Sequence, residues 1–396
     1  MAVETTAATG RTVVIVGGGY GGSAAAKALD AEADVVLVEP KDAFEHAAGS
    51  LRALVRPDWA PNVFFSYDRL LDRGSVVRQR VASVDPAGVT LSDGRRIEAD
   101  YLVLATGSGY PFPAKADVDE AAEALARLRE THEELAGAER VLVTGAGPVG
   151  LELAGEIKHV WPGKSVVIVD PAPELLPGFD PSLRADLLRQ LEELGIELRL
   201  STALAEEPPA EPGRAKTFTA ATTSGDAVTA DIWFRAHGVR TNGDYLSDGR
   251  LTTRDARGRV RVTDSLTVDD YGHVYALGDI TDVAEAKMAG YAMQHAQVVA
   301  ANITAQLRGE TPESVYRPAP VPSVLLPLGP ERGVGQFPSE DDPAVPAVVP
   351  AQVVAQYKGA DLFTGRFEEL FGTSGASDGS DASDAPDGSD ASAAKA

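Results

Sequence analysis

The sequence predicts an α/β fold built on two Rossmann-like units, with a small C-terminal α+β region. Three observations predict it. The chain has 396 residues and is 44% hydrophobic, enough for two or three domains around sizeable cores. One layout occurs twice, from Arg11 to Glu39 and from Arg140 to Asp170: a β-branched run, a glycine-rich turn, a small-residue helix, a second apolar run and a terminal acid. Between and after these units, strand and helix patterns alternate.

The first unit opens with Val13-Val14-Ile15-Val16 and continues into Gly17-Gly18-Gly19-Tyr20-Gly21-Gly22. Gly17 permits the tight turn, Gly19 lets backbone approach a pyrophosphate, and Gly22 lets helix pack on strand. The helix that follows points unpaired N–H groups and a positive dipole end at the same place. Val35-Val36-Leu37-Val38 then ends at Glu39, about 20 residues beyond Gly17, where a carboxylate can accept both hydroxyls of a ribose. The second unit repeats the pattern with Val141-Leu142-Val143-Thr144, then Gly145-Ala146-Gly147-Pro148-Val149-Gly150, then Val166-Val167-Ile168-Val169 ending at Asp170. A lone glycine fingerprint is weak evidence; strand, glycines, helix, strand and acid in order, twice, imply two dinucleotide sites.

Val76 to Leu104 reads as β-rich, with a hairpin signal at Ser92-Asp93-Gly94. Asp119 to Ala136 reads as a charged helix, Pro181 to Leu194 as another, and Gly195 to Leu200 as a short strand before a polar β-meander reaching Phe234. Two strands end in small turns: Tyr101-Leu102-Val103-Leu104-Ala105-Thr106-Gly107, and His273-Val274-Tyr275-Ala276-Leu277-Gly278-Asp279. Gln336 to Pro350, rich in Pro, Val and acid, reads as a loop. From Thr373 on, Ser, Asp, Gly and Ala repeats cannot bury enough apolar surface to order themselves.

The formal net charge is −23, which disfavours nucleic acid, whose phosphates need clustered Lys and Arg. Nine lysines stand against 27 arginines. There is no cysteine, which removes redox disulfides, thiolate metal sites and cysteine nucleophiles together. Met1 to Gly10 lacks a secretory pattern, no apolar run reaches the about 18 residues of a membrane span, and Ala2 excludes N-myristoylation. The expectation is a cytoplasmic protein, monomer or homodimer, with peripheral contact at the inner face of the membrane left open.

The order of these motifs resembles the two-dinucleotide-domain flavoproteins of glutathione-reductase type. The absence of cysteine sets aside the disulfide members and the sulfide:quinone reductases. Further stretches narrow the likeness: Phe44-Glu45-His46 with Leu51-Arg52-Ala53; Ala105-Thr106-Gly107-Ser108 into Pro111-Phe112-Pro113; Gly150 to Lys158; Lys287-Met288-Ala289 with His295-Ala296 and Ala301-Asn302-Ile303; and Gly333-Val334-Gly335-Gln336. These resemble the ferroptosis-suppressor and apoptosis-inducing-factor-like NAD(P)H:quinone reductases, with type II NADH dehydrogenases further off.

The resemblance implies FAD at the first site and NADH, rather than NADPH, at the second. Hydride would pass from NADH to flavin, and electrons then to a quinone or other small acceptor. Alternatives are an NADH:ferredoxin or rubredoxin reductase component, disfavoured by the charge, and a flavoprotein whose redox state controls partner binding. The implied domains are a flexible N-terminus at 1–10, an FAD-binding domain at 11–110 and 240–312, an NAD(P)H-binding domain inserted at 111–239, an acceptor-side region at 313–371, and a disordered acidic tail at 372–396. The implied cofactor residues are Gly17, Gly19, Gly22, Glu39, Lys41, Arg52, Val81, Thr106, Gly107 and Asp279, the last on the flavin ribityl chain, with Gly145, Gly147, Val149, Gly150, Asp170 and Gly238 for the nicotinamide dinucleotide. The implied reaction residues are Glu152, where nicotinamide meets flavin; Lys287, early in the helix after Asp279, at the flavin pyrimidine edge; and Gln294 and His295 near the quinone. No metal is implied.

Overall fold

The two β-branched runs that follow Arg11 and Arg140 become the central strands of two separate parallel sheets. The computed structural model describes residues 10–373; the expected N-terminal and acidic segments lie outside the described residues except for Gly10, Gly372 and Thr373. In the first sheet the strands run in the order Val274–Ala276, Tyr101–Leu104, Thr12–Val16, Asp34–Val38, Ser75–Val77, all parallel. Helix α1 (Tyr20–Leu29) crosses over between Thr12–Val16 and Asp34–Val38. In the second sheet the order is Ile196–Arg199, Ser165–Val169, Arg140–Thr144, Ile232–Arg235, again all parallel. Parallel strands covered on both faces must be apolar throughout, which is why Val13, Val14 and Ile15, like Leu142 and Val143, are fully buried.

The second sheet lies in the chain between two neighbouring strands of the first. The two crossings pair with each other, Ser108–Gly109 running antiparallel to Arg240–Thr241. Helix α2 (Ala47–Val55) of the first unit packs on α4 (Pro148–Val160) of the second, with α3 (Ala121–Gly137) between them in sequence. Here Arg52 Nη2 and Nε bind Glu156 Oε1 at 2.7 and 3.0 Å, and Nη1 donates to the Ala360 carbonyl. The pair is buried, with side-chain exposures of 2% and 4%.

The C-terminal residues return to both units. Val324–Pro327, Gly333–Pro338 and Pro346–Val349 form an antiparallel sheet, the first strand lying on α4. Gln336 to Pro350 is therefore a hairpin with ordered pairing, not the expected loop. The prolines do not prevent it, because Pro338 and Pro346 sit opposite one another at the strand ends, where a ladder N–H is dispensable. The expected meander to Phe234 is likewise corrected. Phe218–Ala221 pairs with Ala227–Ala230, but the fully buried Ile232 to Phe234 segment leaves the hairpin and joins the second parallel sheet. Helix Thr364–Leu370 then seats Phe367 and Phe371 on Phe44, with ring centroids 5.3 and 4.7 Å apart.

Glu156→Ala leaves the Arg52 guanidinium buried without its counter-charge and should cost about 3 kcal/mol. Replacing both partners by apolar residues, Arg52→Met with Glu156→Leu, should cost much less. Thermal unfolding of the two variants checks the difference, with the single variant expected to melt well below the double.

Candidate active site

Each glycine turn forces the next helix against its own strand. Gly17 and Gly145 hold φ of 103° and 109°, and a Cβ on either would meet a carbonyl oxygen of the adjacent strand end, Ala105 or Ala236, at 2.6 and 2.5 Å. A Cβ on Gly22 would lie 1.8 Å from the Gly17 carbonyl oxygen, and one on Gly150 2.0 Å from that of Gly145. Gly19 and Gly147, the N-caps of α1 and α4, have open space where a Cβ would be, and neither caps its helix with a side chain. Their first N–H groups are thus free to meet a pyrophosphate.

The acids close the turns in matching fashion. Glu39 Oε2 accepts from Gly18 N–H at 2.6 Å and Oε1 from Lys41 N–H at 3.0 Å. Asp170 Oδ2 accepts from Ala146 N–H at 2.6 Å and Oδ1 from Ala172 N–H at 2.7 Å. Burial raises the Glu39 pKa, and these backbone donors oppose the shift. Each carboxylate keeps further lone pairs for ribose hydroxyls.

One cleft gathers most residues expected at the first site: Gly19, Glu39, Lys41, Thr106, Gly107, Asp279 and Lys287. It also includes Tyr67, Ser108, Lys115 and Asn242, which were not among the implied site residues. Tyr67 donates to the Gly18 carbonyl at 2.8 Å. Ser108 donates to Asp279 Oδ2 at 2.6 Å, and Lys115 donates to the Ser108 carbonyl. Asn242 ties the second crossing to the Thr106 carbonyl. Burial lowers the Lys115 pKa, with Asp279 and Glu45 opposing. Arg52 and Val81 do not line the cleft: Arg52 is committed to Glu156, and Val81 is buried at the start of Val81–Asp85. Gly238, at φ 93°, lies exposed beyond the end of Ile232–Arg235, and Val149 is partly buried in the first turn of α4.

Lys287 precedes α6 (Ala289–Leu307) instead of lying on it, and donates to the Thr281 and Val283 carbonyls at 3.0 and 2.9 Å. Gln294 is exposed on α6 while His295 beside it is 1% exposed. Glu152 is not a solvated acid. It is paired with Lys358 at 2.8 Å, and Lys358 also donates to the Leu325 carbonyl. Burial raises the Glu152 pKa against the attraction of Lys358.

Tyr20, the first residue of α1, has its phenol raised chiefly by burial and then by the charges of Glu45 and Glu152. Its oxygen accepts from Ala48 N–H at 3.1 Å and lies 3.0 Å from His46 Nδ1. His46 Nε2 reaches the Leu362 carbonyl at 2.8 Å, so Nε2 carries the proton and Nδ1 accepts from Tyr20. Lys358 and Lys115 escaped the sequence reading, and Tyr20 and Ser108 were read only as parts of motifs, not as site residues. Only the position of Tyr20 inside the fingerprint could have drawn attention to it.

A fold with two glycine turns, each closed by the acid that ends the next strand, and a cleft joining the first turn to Asp279 is that of a flavoprotein oxidoreductase that uses FAD and NAD(P)H. The chain belongs to the pyridine nucleotide-disulphide oxidoreductase family, whose model matches residues 11–302. It is 35% identical to ferroptosis suppressor protein 1 of Taeniopygia guttata over 82% of this chain and 88% of that protein. Apoptosis-inducing factor homolog B of Dictyostelium discoideum is 29% identical over 83% of this chain and 89% of its own length. Among solved structures, the sulfide:quinone oxidoreductase of Aquifex aeolicus matches 91% of this chain and 90% of its own with a TM-score of 0.69 at 19% identity, a likeness of fold. The water-forming NADH oxidase of Lactobacillus brevis matches 82% of this chain and 75% of its own with a TM-score of 0.64 at 21% identity.

Burial lowers the His46 pKa from 6.5 to about 4. The unfolded chain therefore takes up a proton between these values that the folded chain refuses, so stability is full above pH 6.5 and falls as pH drops towards 4. The shift corresponds to about 3 kcal/mol. Denaturation midpoints from pH 7 to 4 should fall less steeply in His46→Gln than in wild type.

Proposed function

We propose that this protein oxidises NADH and delivers the electrons, through FAD, to a quinone-type acceptor. The observation that carries the reading is the pair of glycine turns, each closed by its own acid, with a cleft that runs from the first turn to Asp279. FAD, when bound, supplies the redox chemistry, accepting a hydride from the nicotinamide and releasing electrons to the acceptor. The chain's own residues bind, orient and shield. Gly19 and the α1 N-terminus receive the pyrophosphate, Glu39 the adenosine ribose, and Asp279, braced by Ser108, the ribityl hydroxyls. Lys41, Thr106 and Gly107 border the same cleft.

At the second turn, Gly145, Gly147, Val149 and Gly150 shape the nicotinamide dinucleotide site, and Asp170 reads its ribose. Glu152, held by Lys358 beside the apolar Val324–Pro327 strand, lies where the nicotinamide would meet flavin. With no cysteine in the chain, electrons have no dithiol route to a disulfide or persulfide. The buried, apolar Val324–Pro327 strand beside the Glu152–Lys358 pair suits an apolar, two-electron acceptor. The domain limits fit this division of labour, with the residues between the paired crossings serving the nicotinamide dinucleotide and those outside serving FAD.

Preference for NADH follows from Asp170. A 2′-phosphate would bring a dianion to a carboxylate already fixed by two backbone donors. Arg199, on the neighbouring strand, is turned to Glu197 at 2.7 Å and to the Ala227 carbonyl. The expected preference in kcat/KM is about 10- to 100-fold, or roughly 1.4 to 2.8 kcal/mol. Steady-state assays with both nucleotides, in wild type and Asp170→Ser, test it: the variant should gain with NADPH, and equal use of the two by wild type would remove Asp170 as the reader. A panel of soluble quinones and ferredoxins tests the acceptor, with quinone turnover expected to exceed ferredoxin turnover. Purified protein should carry about one noncovalent FAD per chain, and a folded preparation that takes up no FAD would overturn the whole reading.

A further inference from the structure

His295 lies beneath the loop that carries Asp279, and which of its nitrogens is held decides what it does. Gly278, at φ 71°, donates its N–H to His295 Nδ1 at 3.0 Å. A ring nitrogen that accepts a hydrogen bond carries no proton, so the ring is neutral and protonated at Nε2. That nitrogen lies 2.9 Å from Glu285 Oε1, though off the line of a hydrogen bond. The other Glu285 oxygen accepts from the Tyr316 hydroxyl. Burial, and then the hydrogen bond to Glu285, raise the Tyr316 pKa and keep the phenol a donor. The Tyr316 ring stands edge-on to the imidazole, centroids 4.1 Å apart.

Three successive elements thus meet behind the cleft: the loop through Gly278 and Glu285, α6 through His295, and the segment after α6 through Tyr316. The rest of the loop is fastened otherwise. Thr281 Oγ1 donates to the Gly278 carbonyl, and Lys287 bridges the Thr281 and Val283 carbonyls. The Gly278 N–H has His295 as its acceptor. Gly278 and Asp279 line the cleft, whereas His295 has 1% of its surface exposed and none of it lines the cleft.

We propose that His295, braced by Glu285 and Tyr316, is a positioning residue that holds the Gly278–Asp279 turn in the form that retains FAD, and that it does not touch the electron acceptor. The sequence-based expectation of a quinone contact at His295 gives way to this buried role. The proposal rests on the reading of the first site as an FAD site. A side chain that removes the acceptor leaves a buried N–H unsatisfied and frees the turn to reorient, weakening its grip on the ribityl chain.

The test is the rate of FAD release from the full-length holoprotein, followed by the rise in flavin fluorescence on dilution. Asn at position 295 restores an acceptor where Nδ1 stands, Gln places its amide nearer Nε2, and Leu removes both. The expected order is His295→Asn close to wild type, with His295→Gln and His295→Leu each releasing FAD about tenfold faster, as for one lost buried hydrogen bond. Glu285→Gln and Tyr316→Phe should fall between. Should His295→Leu fail to fold, the Asn and Gln pair still decides, because a purely steric role would not separate them in this order. Equal release from Asn and Gln variants overturns the proposal. So does unchanged FAD release combined with slower reoxidation by a soluble quinone, which would put His295 at the acceptor. Wild type that binds no FAD at all overturns the flavin reading itself, a result distinct from either.

Discussion

The approach of Gly22 to the Gly17 carbonyl, and of Gly150 to that of Gly145, is the constraint on which the molecule depends. A Cβ at either position would overlap the carbonyl oxygen, so only glycine lets the helix start directly above its strand. That placement aims uncapped N–H groups at one point and brings the second strand's terminal acid within reach of the turn. Glu39 on Gly18 and Asp170 on Ala146 then lock each turn with a short bond from a backbone N–H. The same local solution is used twice, and what differs is the surroundings: Asp279 and Ser108 beside the first turn, Glu152 with its partner Lys358 in the unit of the second.

Legibility in the sequence follows the range of the interactions. The fingerprint glycines and their acids act within one βαβ unit of about 30 residues, so spacing alone reveals them. Glu39 to Gly18 spans 21 positions. By contrast, Lys358 reaches Glu152 across 206 positions and Arg52 reaches Glu156 across 104, and no periodicity announces such meetings. Arg52 was therefore legible as a notable residue and not as the partner of a helix in the other unit. Gln294 and His295 show a related limit. Neighbours on a helix point about 100° apart, and the buried face of α6 was fixed by packing on α1, which the local sequence does not state.

Composition misled where pairing decided. The Pro- and acid-rich stretch after Gln336 looked unstructured, yet its prolines fall opposite one another at a hairpin's end and leave the ladder intact. The resemblance put Lys287 early in the helix after Asp279, but its ammonium donates to two loop carbonyls and the helix begins after Met288.

The pairing of Ser108–Gly109 with Arg240–Thr241 has a consequence for the engineering of such proteins. The chain leaves the first sheet and returns to it at neighbouring points, so everything between is covalently joined at one seam, and its other ties include the ion pairs of Arg52 with Glu156 and of Lys358 with Glu152. Segments whose ends meet can be inserted or exchanged with little disturbance to the host. The seam therefore offers a natural cut for chimeras built in the laboratory, provided that an exchanged module brings its own partners for Arg52 and Lys358.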